Sequence, residues 1–512
     1  MHRPDPSQFS RRTALTGGLT VAAFTALPPL ASADAGPTPA GGRGATLMRW
    51  ARDTWASMVA MTDPVTGLIS DNITGDLGNR AHYTSPTNIG GYLWSTIVAR
   101  DLRIITPGEA NIRIRRTLRT LRGMQHHDAA GMYFNWYDPR DGSAILEWPD
   151  DGNPVVPFVS SVDAAWLGAA LLVVRNGDPG NSKAAGELFS RMRFDVFADP
   201  TFSKPYLNYG GYYLEEPTRL TSPPPTIARD LIGEGSDVWY TRDHHYDTVV
   251  SETRITTYLG IAKGQIPPES YYQAWRTFPP DWDWQESIPV GEWHTYLGVD
   301  VYEGHTTIWG ARPFPVGVAR CSRSSCPTCS CLRRRGRLAP GPQPSTPRGR
   351  AEAARHAGVR ILGLLPASHP AGGYSEWGVD ALGLNPDGYF SDIERTNYSA
   401  RTNPAPDFGN GVVTPHAAFL AMLHDPAEAY ANLTRIEHDF DSYGAGGFYD
   451  AVATATGQVA KRHLSLDQAM ILGALGNVLA GGNLRRYFTR GEVERRVRPV
   501  IAPEIFAPLG GE

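Results

Sequence analysis

From Thr46 onward the chain has helical stretches joined by loops rich in Gly, Pro and aromatic residues. Segments Asp163–Val174 and Thr248–Lys263 carry apolar residues at helical spacing. Capping residues mark several helix starts. Thr106-Pro107-Gly108-Glu109 puts Thr at the cap, Pro at the first helical position and Glu at the third. Thr414-Pro415 opens the run from Ala417 to Leu423 in the same way. Ser465-Leu466-Asp467-Gln468 predicts a capping box ahead of an apolar run to Leu479. There is no βαβ alternation and no sustained run of period-two strands. Long helices separated by such loops predict an all-α protein, an α/α toroid rather than an α/β fold.

Composition narrows the class. The 512 residues are 41% hydrophobic, which excludes a collagen or a wholly disordered chain and allows a large core. A net charge of −4 and a pI near 6.4 provide no basic field for nucleic acid. The 13 Trp, 22 Tyr and 17 Phe suit stacking on sugar faces, and they suit a large core equally well. Four cysteines exclude a disulfide scaffold.

The first 35 residues resemble an address. Ser10-Arg11-Arg12-Thr13-Ala14-Leu15 precedes an uncharged run to Leu30, and Ala31-Ser32-Ala33 has the small-residue pattern of a cleavage site. This pattern predicts twin-arginine export, with the twin-arginine translocase as partner. A chance Arg pair before a general secretory signal is the alternative, and it too means export. Residues 36–45 look like a flexible leader, residues 46–500 the folded domain and residues 501–512 a tail. No segment is expected to span a bilayer stably. The expected location is periplasmic or extracellular.

One segment departs from the rest. From Val316 to Leu365, Arg, Pro and Ser crowd together, and Cys321, Cys326, Cys329 and Cys331 fall close together. Cys326-x-x-Cys329 suits a zinc or redox site, but zinc sites normally pair two separated ligand clusters and no second cluster exists. A true insert is another reading. The favoured one is a frameshift in the coding sequence. Shifting the frame by two bases from Val316 permits W-G-G-A-M-F-E-E-L-M-P-D-L-F-V-P. Shifting it by one base from Gln343 permits N-H-P-L-H-A-V-V-Q-K-Q-H-G-M and later Y-G-Y-W-G-F-S, which runs directly into Pro366. Resequencing the gene across this stretch tests the idea, and an unbroken read in the given frame sinks it.

Several strings, in order, resemble a known group. They are Thr87-Asn88-Ile89-Gly90, Phe134-Asn135-Trp136-Tyr137-Asp138, Ser160-Ser161-Val162-Asp163 and Ser251-Glu252-Thr253-Arg254. Later come Ile261-Ala262-Lys263-Gly264-Gln265-Ile266-Pro267, Gly411-Val412-Val413-Thr414-Pro415 and Leu466-Asp467-Gln468. Together they resemble the glucoamylase-like (glycoamylase-like) domain of bacterial cyclic β-1,2-glucan synthases, which is related to bacterial endo-β-1,2-glucanases. The resemblance implies an (α/α)6 barrel with a glycan cleft at one end, no metal and no organic cofactor. It implies a polysaccharide or oligosaccharide partner, a glucan.

Glycosidic cleavage generally needs two carboxyl groups, one protonated and one ionised. Glu252 is the first candidate. At helical spacing its neighbours are Val249, Ile255 and Leu259, so burial would raise its pKa and suit a general acid. A buried Glu paired with an Arg is the bland alternative. By resemblance, Glu252 matches a functionally important acid of the endo-β-1,2-glucanases. Asp163 is second, at the mouth of a helix where the dipole alone would favour an anion. By resemblance it matches the acidic position of the family's cleft helix. Trp166 is a candidate sugar platform or a core residue. Tyr137, Asp138, Asp247 and Asp467 are candidate binding residues, each also open to a structural role. Tyr374, Glu376, Trp377 and Asp380 belong to a Gly-rich aromatic and acidic loop suited to a subsite. His244-His245 predicts a solvated loop rather than a metal site.

The sequence therefore points to an exported enzyme that cleaves or transfers glucan linkages, β-1,2 linkages being the favoured ones, with Glu252 and Asp163 as the carboxyl pair. A same-fold enzyme on another polysaccharide and a non-catalytic glycan-binding or envelope-assembly protein are the alternatives.

Overall fold

The computed structural model describes residues 42–216, 226–227, 238–241, 245–249, 251–282, 288–305, 367–368, 370, 374–375, 412–423, 426–454 and 456–504. The export signal, all four cysteines, the segment 316–365, His244, Glu376, Trp377 and Asp380 lie outside the described residues. For Tyr374 only the backbone is described, as part of a two-residue strand.

Two kinds of helix alternate along the chain. Helices α1 (Gly42–Met61), α3 (Pro107–Gly123) and α5 (Ser182–Arg191) bury one face only. Between them, α2 (Pro86–Asp101) and α4 (Ser161–Gly177) are buried almost all round. The next, α6 (Arg254–Lys263), is buried through Ala262 and precedes the short α7 (Ser270–Gln273). Later α8 (Pro415–Ala421) is buried and α9 (Pro426–Asp439) is one-faced. Helix α10 (Ser465–Leu479) is buried through Asn477, and α11 (Asn483–Phe488) and α12 (Arg498–Ile501) follow. A helix apolar all round needs neighbours on every side, whereas an amphipathic one covers them. The buried set packs as an arc in the order α8, α10, α2, α4, α6, with the one-faced helices outside it. Among the described residues no helix is long and apolar enough to cross a membrane.

Backbone and side-chain bonds fix the direction of the arc. The Ser465 N–H donates to Asp71 O at 2.8 Å, and the Thr87 N–H reaches Asp163 Oδ1 at 3.4 Å. Thr256 Oγ1 donates to Ser161 O at 2.9 Å. The N-terminal ends of α2, α4, α6 and α10 thus meet at one end. At the other end Arg100 Nη1 donates to Gly177 O at 2.8 Å, and Asn483 Nδ2 donates to Asp101 Oδ2 at 2.7 Å.

Three expectations change. The helix expected from Thr248 begins only at Arg254, because Asp247, Thr248 and Val249 pair with Trp275 in an extended bridge. Ser465 is not a cap. Leu464 precedes the helix with no side-chain cap, and strand Arg462–Leu464 is paired with Asn72–Thr74. A seven-residue antiparallel hairpin, Val290–Tyr296 with Val299–His305, was not signalled by the pattern. It turns through Leu297 and Gly298, both at positive φ (50° and 80°), as a tight hairpin requires. Thr106 behaves as expected, accepting from the Glu109 N–H at 3.1 Å. The packed unit also passes residue 500. Glu504 is fully buried against Arg276 at 2.5 Å and accepts from Tyr271 Oη at 2.6 Å.

Candidate active site

The N-terminal end of the arc gathers acids. Asp163 lies in the first turn of α4, where its N–H donates to the Ser160 cap at 3.2 Å. Its Oδ2 accepts from the Asn135 amide at 2.8 Å. Burial raises its pKa, opposed by the polar groups of Thr87, Ser160 and Ser85. Asp71 lies just before strand Asn72–Thr74 and accepts from Asn88 at 2.9 Å and from Asn72 at 3.1 Å. Burial raises its pKa too. Its two amide bonds and Arg462 oppose the rise, and the charge of Asp163 adds to it.

Asp71 connects this pair to a second one. Asp467, in the first turn of α10, has its pKa pushed up to about 7 by burial, with the charge of Asp71 adding to the rise and a bond to Asp450 opposing it. Burial and then Asp467 push the Asp450 carboxyl well above the usual range, although the Ser368 N–H donates to it at 2.6 Å. His416, at the start of α8, lies 3.3 Å from Asp467 and bonds Thr414 Oγ1 at 2.5 Å. Burial lowers its pKa to about 4, so its ring is neutral at pH 7. His416, Asp450 and Asp467 bring one ligand atom each within 4.8 Å of one another, a mixed imidazole and carboxylate set. Protonated carboxyls are equally consistent with the burial, and no metal is inferred.

Glu252 is buried, as expected, but not on a helical stripe. It occupies a turn ahead of α6, ordered by Ser251 Oγ accepting from the Thr253 N–H at 3.4 Å. Its helix start is joined to that of α4 through Thr256 and Ser161, so Glu252 and Asp163 flank one junction.

Other candidates sit elsewhere. Trp166 and Tyr137 are fully buried, and Tyr137 Oη donates to Gln125 O at 2.6 Å, so neither ring has a face open to a sugar. Asp138 closes its own turn and holds Arg140 through both carboxylate oxygens. Asp247 is half-buried in the bridge to Trp275, near Lys204. His245 is not solvated. It pairs with Asp199 at 3.0 Å and stacks on Phe202 at 4.1 Å.

Sequence reasoning missed Asp71, Asp450 and His416. A signal for the two acids was present. Asp71 alternates in sequence with Ile69 and Ile73, as Asp450 does with Phe448 and Val452, and all four apolar neighbours are fully buried. An acid on an apolar period-two face is a buried acid. His416 carries no such pattern.

The helical fold is shared with solved endo-β-1,2-glucanases. The chain is similar to the endo-β-1,2-glucanase from Chitinophaga pinensis solved with sophorotriose and glucose (14% identity, TM-score 0.54, 90% of this chain and 98% of that one). It is also similar to the endo-β-1,2-glucanase from Talaromyces funiculosus solved with sophorose (12% identity, TM-score 0.55, 91% and 90%). The sequence narrows the class. Residues 366–491 match the Glycoamylase family model, described as "Putative glucoamylase", and residues 49–199 match "Protein of unknown function (DUF3131)". The cyclic β-(1,2)-glucan synthase NdvB of Rhizobium meliloti (strain 1021) is 26% identical over 256 residues. That alignment spans 48% of this chain and 7% of the relative. The resemblance to the glucoamylase-like domain thus holds in family model, curated relative and fold.

Proposed function

We propose that this protein is a carbohydrate-active enzyme that cleaves or transfers glucan linkages, β-1,2 linkages first, by carboxylate acid/base chemistry. The observation that carries the proposal is the set of buried acids at the N-terminal ends of the inner helices. Desolvation and mutual repulsion keep some of these protonated at neutral pH, and a general acid requires such a proton. Glu252 and Asp163 are the proposed reacting pair, with acid and base roles unassigned. Asp71, Asp467 and Asp450 set the local charge. Among the described residues the arc has five inner helices, and we read the whole fold as an (α/α)6 barrel. We also propose twin-arginine export to the periplasm or beyond. The frameshift reading of 316–365 is part of the same proposal, and the Glycoamylase match begins just past that stretch, at residue 366.

The test uses the chain as given and the frame-restored chain, incubated with linear β-1,2-glucan and a panel of other glucans while reducing ends are counted. Cleavage abolished by Glu252→Gln and Asp163→Asn is the expected result. Unsaturated products absorbing in the ultraviolet would mean lyase chemistry instead. A folded chain that cleaves no glucan would overturn the enzymatic reading in favour of binding alone.

A further inference from the structure

Three aromatic rings stand beside the acids. Tyr83 lies 4.8 Å from Trp148 and 5.7 Å from Trp136, and the two tryptophans are 5.4 Å apart. The backbone fixes them. The Asp71 N–H donates to Tyr83 O at 2.9 Å, and Thr84 and Tyr137 exchange both backbone bonds at 2.9 and 3.0 Å. Each of two rings is also tied to a carboxylate through an asparagine. The Asn72 amide donates to Asp71 Oδ2 at 3.1 Å and to Tyr83 Oη at 3.3 Å. With its amide turned so that both neighbours are satisfied, Asn135 donates to Asp163 Oδ2 at 2.8 Å and accepts from Trp136 Nε1 at 3.3 Å. The outer two rings keep exposed surface. Tyr83 and Trp136 are half-buried, whereas Trp166 and Tyr137 are sealed in the core. Trp136 and Asn135 also line a small depression with Leu146 and Pro157.

We propose that Trp136 presents a stacking face for a pyranose ring next to Asp71 and Asp163, with Tyr83, its ring set at 83° to that of Trp136, as the side wall and Trp148 packed against both. The inference rests on the glucan reading above and names the surface that holds the sugar. A pyranose presents an apolar C–H face and a rim of hydroxyls. The Trp136 ring matches the face, Tyr83 borders it, and the asparagine amides and carboxylates match the rim. The asparagine ties hold ring and carboxylate in one register, so a sugar stacked on Trp136 sits within reach of the acids.

The test measures binding of a linear β-1,2-glucan oligosaccharide to the full chain by calorimetry, with Trp136→Ala, Tyr83→Ala and Tyr83→Phe. Each alanine variant is expected to bind at least about tenfold more weakly, about 1.4 kcal/mol. Tyr83→Phe, which keeps the ring, is expected to stay within about threefold. A second readout does not depend on the alanine variants folding. The oligosaccharide is expected to shift the parent's tryptophan emission, and Trp136→Phe is expected to remove most of that shift. Folded alanine variants that bind as the parent does would overturn the platform, as would a parent that binds no oligosaccharide. A parent that binds but cleaves nothing would sink the catalytic reading and leave the platform standing.

Discussion

The two ends of the inner helices carry opposite chemistry, and the helix dipole accounts for only one of them. At the C-terminal end, cations cap carbonyls. Lys263 donates to Phe189 O at 2.8 Å, Ser190 O at 3.1 Å and Met192 O at 2.5 Å. Arg490 reaches Asn176 O at 3.3 Å, and Arg496 reaches Ala262 O at 3.3 Å. Positive charge on free helix carbonyls is favourable by itself. At the N-terminal end the dipole favours ionised carboxylates, yet Asp163 and Asp467 are raised rather than lowered. Burial outweighs the dipole there, because each acid loses water and Asp71 is close to both. The basic end is built for stability. The acidic end holds charge at a cost, which is common where chemistry is done.

The comparison breaks most visibly at the acids. Glu252→Gln or Asp163→Asn is expected to lower glucan cleavage about 10²–10⁴-fold while thermal stability is kept, read as reducing ends and a melting curve. Equal activity with lower stability would make the acidic end structural as well.

Asp467→Asn gives the next largest effect, on stability. In the fold Asp467 holds its proton to about pH 7, against about 4 when free. The folded chain therefore binds more protons across that window, and this group's contribution falls as pH rises from about 4 to about 7. His416 works the other way, since its depressed pKa adds stability as pH rises from about 4 to 6.5. The asparagine variant removes the first effect together with the part of the Asp450 rise that Asp467 causes, and leaves His416 titrating in the opposite sense. Relative to the parent it should gain on the order of 2–4 kcal/mol between pH 4 and pH 8 in denaturant titrations. A constant difference across pH would place the Asp467 proton elsewhere.

At the basic end, Lys263→Ala is expected to cost about 1–3 kcal/mol, because three carbonyls each lose one donor, and to leave cleavage unchanged. Arg490→Ala, on an exposed side chain with one bond, is expected to change stability by less than about 0.5 kcal/mol. A fall in cleavage for either would join the two ends functionally.

Local rules made part of this protein legible in the sequence. Thr106 caps its helix because its hydroxyl meets an N–H three residues on, a contact that needs no other element. Asp163 in the first turn of α4 was legible for the same reason. The start of α6 was not, since Asp247 and Val249 bond to Trp275, twenty-eight residues beyond Asp247. Nor was the start of α10, where the N–H of Ser465 is taken by Asp71 from the far end of the chain. The sugar face moved as well. Trp166 fills the core, while Tyr83, Trp136 and Trp148 gather beside the acids.

The sequence by itself determined the helix periodicity, the first-turn position of Asp163, the buried character of Glu252 and the order of strings that resembles the glucoamylase-like domain. Only the tertiary structure decided that Asp71, Asp163, Asp467 and Asp450 would share one end of the helix array, and hence which way their pKa values move. Periodicity and capping arise from neighbours a few residues apart. Desolvation and carboxylate repulsion arise between Asp71 and Asp467, which the chain keeps nearly four hundred residues apart and the fold brings together.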